Sequence, residues 1–373
     1  MEFVLIDGSH GEGGGQIVRT AIAFSTITGK PVRIENIRSG RARPGLKAQH
    51  VHGLLALKEL CNATLRNVIV GADWIEYIPS DLKKKNLLID IGTAGSITLV
   101  LQTLLLPLLF LNKTIHVRLK GGTDVAWSAP IDHFILVMIP YLRKYADISC
   151  TVYKRGYYPK GQGEVTLTLK PLKDRLQEEN AHAKQLLPVF AQHTAFKETL
   201  AHTLPFVLER QQTTLSIVGS SHASQELAQT RVAERQAQAA KLTLAQPCSM
   251  QESYRVTASV GSGITLVSRG GSSEGTDPHQ PQLVSASVLG EQGKQAEIVG
   301  KEAAQQLLDE LNTGAVVDAY TADQLIPFLA LSGDTITTSK ITKHILSNIY
   351  VTEKFLPVQF RIEGSSVRAM LCR

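Results

Sequence analysis

The chain has 373 residues, of which 43% are hydrophobic, 19% charged and 6% aromatic. That balance excludes a disordered chain and a collagen-like fibre, and it calls for a mostly aliphatic core. Lysine and arginine outnumber the acids 39 to 33, and the net charge of +6 suits an anionic partner without naming one.

The first predicted element is a strand at Phe3–Ile6, ending at Asp7-Gly8, with no signal peptide ahead of it. The run Gly11-Glu12-Gly13-Gly14-Gly15-Gln16 then joins this strand to an apolar helix over Gln16–Thr28. Glycine-rich strand-to-helix turns let backbone N–H groups approach phosphate oxygens. The spacing is neither that of a P-loop nor that of a dinucleotide fingerprint, and taken alone it reads as a tight structural turn. Glu12 in the turn and Arg19 one turn into the helix tilt it towards a metal held next to phosphate.

A strand at Val32–Ile37 leads into a basic stretch. Between Lys30 and Lys47 stand six basic residues and one acid, Glu35. Gly40, Pro44 and Gly45 break any helix there, so an arginine-rich loop is expected, with Arg38 and Arg41 as guanidinium forks for phosphate or carboxylate. Helix Gly45–Leu60 and strands near Leu65–Val70 and Trp74–Ile78 complete a β-α-β-α-β-β unit.

The same rhythm recurs. A second copy runs from strand Asn86–Ile91 through the turn Gly92–Ser96 and an apolar helix to about Leu111. Strand Thr114–Leu119, loop Gly121–Pro130, helix Ile131–Tyr145 and strands Ile148–Lys154 and Glu164–Leu169 follow. The uncharged stretch 91–112 is long enough to span a membrane, but its glycines, Gln102 and Pro107 favour a helix buried in a soluble core. A third copy is expected from a short strand Ala315–Val317, helix Thr321–Leu331, strand Thr335–Thr338, helix Thr342–Phe355 and strands Val358–Ile362 and Val367–Leu371.

Between copies two and three, a charged helical start at Asp174–Phe190 reads as a linker. It is followed by strand Thr213–Val218, helix Ser224–Leu242, strands Tyr254–Val260, Ile264–Val267 and Leu283–Leu289, and helix Ala296–Leu311. Gly270–Ser273 reads as a flexible loop. The expected fold is α+β: a large domain of three repeats, residues 1–175 and 313–373, with a smaller α/β domain inserted at 176–312.

The four cysteines form no Cys-x-x-Cys pair and read as thiols of a reducing, cytoplasmic compartment. With no serine or cysteine elbow and no zinc spacing among the eleven histidines, a histidine is the best available nucleophile.

Five ordered motifs carry a resemblance. They are Asp7-Gly8-x-x-Gly11-Glu12-Gly13-Gly14-Gly15-Gln16; Arg38-x-Gly40-Arg41-x-x-Pro44-Gly45-Leu46 with Gln49-His50; Gly121-Gly122-Thr123-Asp124; Arg155-Gly156-Tyr157-Tyr158-Pro159-Lys160-Gly161-Gln162-Gly163-Glu164; and Asp323-Gln324-Leu325 with His344. Together they closely resemble the RNA 3′-terminal phosphate cyclases, over about residues 3–172 and 314–363. The inserted region matches loosely. Gln162 departs from the glycine common in the family, with little effect expected in a turn between strands.

The resemblance implies an ATP-dependent enzyme that converts an RNA 3′-phosphate to a 2′,3′-cyclic phosphate, releasing AMP and pyrophosphate. It implies a large domain of repeats like the C-terminal domain of translation initiation factor three. His344 corresponds to the histidine that becomes adenylylated, and Glu12 to an acid that contacts a divalent metal, magnesium or manganese. Arg19, Arg38, Arg41 and Gln49 correspond to phosphate contacts. Leu101, Gln102, Pro130, Tyr320, Asp323 and Gln324 correspond to the adenylate pocket. The expected partners are ATP and RNA with a 3′-phosphate end, with no membrane, and a homodimer is left open. A non-enzymatic relative used in ribosomal RNA processing would share the fold but lack the nucleophile; an enolpyruvyl transferase would share the repeats; a plain RNA-binding module would leave His344 idle.

Overall fold

A computed structural model of the chain describes residues 2–83, 85–111, 113–172, 179–190, 194–271 and 275–372. The first elements are β1 (Val4–Asp7), α1 (Gly15–Thr28), β2 (Val32–Glu35), α2 (Ala48–Cys61), β3 (Thr64–Arg66) and β4 (Ile75–Ile78). Their strands form one sheet in the order β1-β2-β4-β3, with β1 and β2 parallel and the other pairs antiparallel. Helix α1 is buried on every side from Gln16 to Ile27, so it is the central rod of the molecule rather than an amphipathic cover. It stops at Gly29, whose left-handed φ of 72° lets its N–H reach back to the Ser25 carbonyl.

Next come β5 (Leu87–Asp90), α3 (Ile97–Leu109), β6 (Ile115–Gly121), α4 (Ile131–His133), a π-helical turn (Phe134–Met138), α5 (Ile139–Leu142), β7 (Ala146–Lys154) and β8 (Gly163–Pro171). This sheet repeats the first, in the order β5-β6-β8-β7 and with the same parallel and antiparallel pattern. Along β6, Ile115, Val117 and Leu119 face the core, while His116 and Arg118 face water. No helix among the described residues is long and apolar enough to cross a membrane. Helix α3 is buried in the core and capped by the Ser96 hydroxyl accepting from the Leu99 N–H.

Beyond lie α6 (Ala181–Leu186), a 3-10 turn (Leu187–Phe190), α7 (Thr194–Ala201), β9 (Val207–Leu208), β10 (Thr213–Ser224), α8 (Val232–Leu244), β11 (Cys248–Arg255), β12 (Ser262–Gly271), β13 (Gln282–Leu289) and α9 (Ala296–Asn312). The chain closes with α10 (Ala319–Ser332), β14 (Thr335–Thr337), α11 (Lys343–Phe355), β15 (Val358–Glu363) and β16 (Ser366–Leu371). One sheet has the order β11-β10-β12-β13, and α8 and α9 pack on it around Ile217, Leu266, Val299 and Leu307. The other has the order β15-β16-β14-β9, with β9 parallel to β14.

Several sequence expectations shift here. The short strand expected at Ala315–Val317 makes only single bridges at Val317; the edge position that β1 and β5 hold in their sheets is taken by β9. The helix expected from Ser224 begins at Val232, because Ser220–Ser224 prolong β10 through pairing on both sides. The strand expected at Tyr254–Val260 is β11, six residues earlier at its start and five at its end. Gly270 and Gly271 are not loop but the end of β12, while 272–274 lie outside the described residues, as do 174–178 of the expected linker helix. Gln162 has a φ of 59°, in the left-handed region where an L side chain costs about 1 kcal/mol or more, so replacing the family's glycine is not neutral there.

Two buried polar joints tie the β10–β13 sheet to the rest. In one, Arg155 reaches Asp124 with Nη1 (3.2 and 3.1 Å) and Asp132 with Nη2 (3.0 and 2.7 Å). His222 of β10 stands 3.4 Å from Asp124, and its Nδ1 shares a hydrogen bond of 2.8 Å with the Tyr157 hydroxyl. In the other, Asp318 caps α10 through the Thr321 N–H (2.8 Å) and accepts from the Ser285 N–H and hydroxyl of β13 (2.9 and 2.8 Å).

Candidate active site

Three helices begin at one place. Beyond β1, Asp7 accepts from the Ser9 N–H and hydroxyl, which starts a tight turn. Gly11 (φ 62°) and Gly13 (φ 59°) then hold left-handed conformations on either side of Glu12 and so present its side chain from a turn that other residues would strain. A Cβ on Gly14 would stand 3.3 Å from His344 Cε1, and one on Gly15 only 2.1 Å from His50 Nε2. The first turn of α1 is therefore packed directly on the first turns of α11 and α2. Helix α1 has no side-chain cap. Its first backbone N–H groups and the positive end of its dipole therefore stay open, which favours an anion there.

At that point Glu12 bridges two partners. Its Oε1 accepts from Arg41 Nη2, and its Oε2 lies 3.1 Å from His344 Nε2. His344 is half-buried, with Nδ1 enclosed against Gly14 and without a partner. Burial, set against the attraction of Glu12 and reinforced by Arg19 and Arg41, holds the imidazole below the usual 6.5. It is thus neutral at pH 7, with a lone pair for nucleophilic attack.

The two loop arginines differ. Arg41 enters the cluster; Arg38 sits at a left-handed φ of 55° and uses Nη1 to donate to the carbonyls of Arg43 (2.7 Å) and Gly45 (3.0 Å). Burial and the neighbouring Arg41 both push its pKa down. Arg38 therefore shapes the loop with one arm of its fork.

A second polar group lies along α1. Arg19 Nε donates to Gln102 Oε1 of α3 (3.0 Å), Gln102 Nε2 donates to Gln324 Oε1 of α10 (2.8 Å), and Gln324 Nε2 donates to the Tyr320 carbonyl (3.0 Å). Burial brings the Arg19 guanidinium down to about 10 and lifts the Asp323 carboxyl well above the usual range, although each attracts the other. A cleft opens beside them, lined by Gln16, Arg19, Thr20, Gln102, Gln324 and Asn348. Tyr320 is exposed at the start of α10, and Pro130 is buried at the start of α4. Leu101 is fully buried in the core and offers no surface to the cleft. Gln49 of α2 lies with Oε1 3.6 Å from where a Gly95 Cβ would stand.

The structure thus gathers Glu12, Arg41 and His344 into one cluster, and Arg19, Gln102, Asp323 and Gln324 into another. One participant stood in the sequence only as part of a motif, and one went unassigned. His50 accepts from the Lys47 N–H through Nδ1 (3.0 Å) and is driven well below 6.5 by burial and by Arg19, Arg38 and Lys47. Asn348 joins α11 to Thr20 of α1 (2.7 Å) and to the Asp323 carbonyl. Its signal was its place four residues after His344, on the same helix face. No group of three or more potential metal ligands occurs among the described residues.

The family model described as RNA 3′-terminal phosphate cyclase matches residues 10–362. The chain belongs to the RNA 3′-terminal phosphate cyclase family. An RNA 3′-terminal phosphate cyclase of Pyrococcus furiosus is 40% identical over 365 residues, covering 97% of this chain and 95% of that protein. Those of Archaeoglobus fulgidus and Methanosarcina acetivorans are each 41% identical, covering 97% and 96% of this chain and 98% and 96% of their own. Cyclase membership makes this protein an enzyme of the ligase class.

Proposed function

We propose that this cyclase converts an RNA 3′-phosphate to a 2′,3′-cyclic phosphate through a covalent histidine–AMP intermediate. The observation that carries the reading is the neutral His344 imidazole held beside Glu12 and Arg41 at converging helix starts. Because Nδ1 is enclosed, the attack falls to Nε2. Nε2 forms a bond to the α-phosphorus of ATP, the bond to pyrophosphate breaks, and the ring proton stays on Nδ1. The RNA 3′-phosphate then takes AMP from His344, giving a mixed anhydride. The neighbouring 2′-hydroxyl attacks the RNA phosphorus, loses its proton and expels AMP, a step helped by proximity.

Arg41, Arg19 and, with its free arm, Arg38 stabilise phosphate charge; Gln49 assists from α2. Gln102, Gln324, Asp323, Tyr320 and Pro130 bound the adenylate, with Leu101 packed behind them. Magnesium or manganese commonly binds through one or two carboxylates, waters and substrate phosphates, so the lone Glu12 carboxylate fits such an ion. That ion would neutralise phosphate charge during transfer.

We also propose that the three sheets of matching order are one repeated unit. The division read from the sequence, 1–175, 176–312 and 313–373, is kept with one change: the insert begins after β9, which we assign to the third repeat. The four cysteines are free, which supports a cytoplasmic location.

The test is incubation with radiolabelled ATP and magnesium, followed by mapping of the labelled residue. The label should reside on His344, be acid-labile and base-stable, and vanish in His344→Ala. An RNA 3′-phosphate should become resistant to phosphatase only with ATP, and a terminal 2′-deoxy sugar should stall at the adenylylated end. Robust labelling of His344→Ala would sink the assignment.

A further inference from the structure

The turn Gly92–Ser96 is clasped between two loops, of which only Pro130, at the end of the first, has a part in the chemistry above. On one side, Ser96 bridges Gly122, and the Thr98 hydroxyl donates to the Ala129 carbonyl (2.7 Å). On the other, a Cβ on Gly161 would stand 2.7 Å from Ala94 Cα, so that loop lies flat against the turn. The two loops also meet each other, since the Thr123 and Asp124 N–H groups both donate to the Gly156 carbonyl. The inner end of the turn reaches Gln49. The turn therefore leads from the start of α2, where His50 packs on Gly15, out to the two loops.

Large side chains stand free along that path. Trp127 is 99% exposed and Tyr158 is 76% exposed, one on each loop. Folding normally hides such residues, and here the backbone beneath them is fixed: Tyr157 is buried under Gly261, and Asp124 is locked to Arg155. Lys160 follows Tyr158, its N–H bonded to the Ser259 hydroxyl (3.0 Å) of the loop that carries Val256 and Val260, 78% and 57% exposed. Arg255 opens that loop. Neither Lys160 nor Arg255 forms an ion pair among the described residues.

We propose that Trp127, Tyr158, Lys160 and Arg255 form the surface that receives the single-stranded RNA upstream of the reacting end, its bases stacking on the two aromatic rings and its phosphates meeting the two cations. The proposal rests on the RNA substrate proposed above. Aromatic faces interleaved with unpaired cations suit a single strand, because every base has a π-face and every linkage a charge. A protein-binding core would instead be depleted of lysine and packed with apolar anchors.

The chain has two tryptophans, so Trp127 is itself a reporter. Titration of the full-length protein with a 3′-phosphorylated ten-nucleotide RNA should quench tryptophan fluorescence, and the quench should disappear in Trp127→Ala. In cyclisation assays, Trp127→Ala and Tyr158→Ala should each raise the KM for the ten-nucleotide substrate about tenfold or more, with Trp127→Phe largely restoring it. The KM for a 3′-phosphorylated dinucleotide, kcat and self-adenylylation by ATP should stay unchanged. Lys160→Ala should flatten the salt dependence of RNA binding.

A wild-type KM for the long RNA in both alanine variants, or an equal loss for the dinucleotide, would overturn the surface. If wild-type protein cyclised no RNA yet Trp127 were still quenched, the reaction would be wrong and the surface would stand. If the RNA bound with no effect at Trp127, the surface would fall whatever the reaction.

Discussion

Glu12, in the first turn of the chain, and His344, in the first turn of α11, meet with Oε2 and Nε2 3.1 Å apart. No element connects them directly. They meet because α11 packs on the start of α1, where Gly11 leaves room for the Ser347 hydroxyl at 2.9 Å from its missing Cβ and Gly14 leaves room for the imidazole.

That close approach makes Gly15 sensitive. An alanine there must displace His50 or the backbone of α1, and Arg19 lies 3.3 Å from the same point. We expect Gly15→Ala to lower the rate of self-adenylylation about tenfold or more, one tenfold step being about 1.4 kcal/mol. Gly40→Ala, with open space around its Cβ, is the control and should behave as wild type in the same assay.

The two loop arginines should separate. Arg41→Ala removes a charged contact in the cluster and should cost about 1.5–3 kcal/mol, ten- to a hundred-fold in rate, with lysine a poor substitute. Arg38→Ala also loosens the loop through the Arg43 and Gly45 carbonyls, so its defect should include faster proteolysis between residues 38 and 45. Equal protease sensitivity of the two variants would contradict the bracing role of Arg38.

Arg155 has a different weight. Burial opposes its charge, but Asp124 and Asp132 outweigh it and drive its pKa up. Arg155→Leu would strand two buried carboxylates, at a cost of about 3–5 kcal/mol of folding stability. Urea unfolding measures this directly; a midpoint matching wild type would mean that the joint carries little.

His50 links stability to pH. Its folded pKa is held well below 6.5, so beneath 6.5 the unfolded chain takes a proton that the folded chain refuses. Its stabilising share is complete above that pH and is lost as pH falls towards the folded value. His133, His182 and His222 shift in the same direction, whereas the raised Asp323 acts oppositely. In His50→Gln the slope of unfolding free energy between pH 7 and 5 should be smaller than in wild type by up to about 1.4 kcal/mol per unit. Parallel slopes would place the His50 proton elsewhere.

The sequence by itself determined most elements of the first two sheets and the motif residues, because alternation along β6 and glycine at positions that need left-handed backbone are local requirements of the chain. It also carried His344, Glu12, Arg38 and Arg41 as residue types within motifs. What it could not decide were relations between distant segments. The two-residue strand β9 has no periodicity to detect, and it exists only because β14 offers it an edge. The division of labour between Arg38 and Arg41 depends on which carbonyls the folded loop turns inward. The neutral state of His344 and the burial of Arg19 beside Asp323 likewise arise only when helices from opposite ends of the chain pack together and exclude water, since desolvation belongs to the assembled site and to no single stretch of sequence.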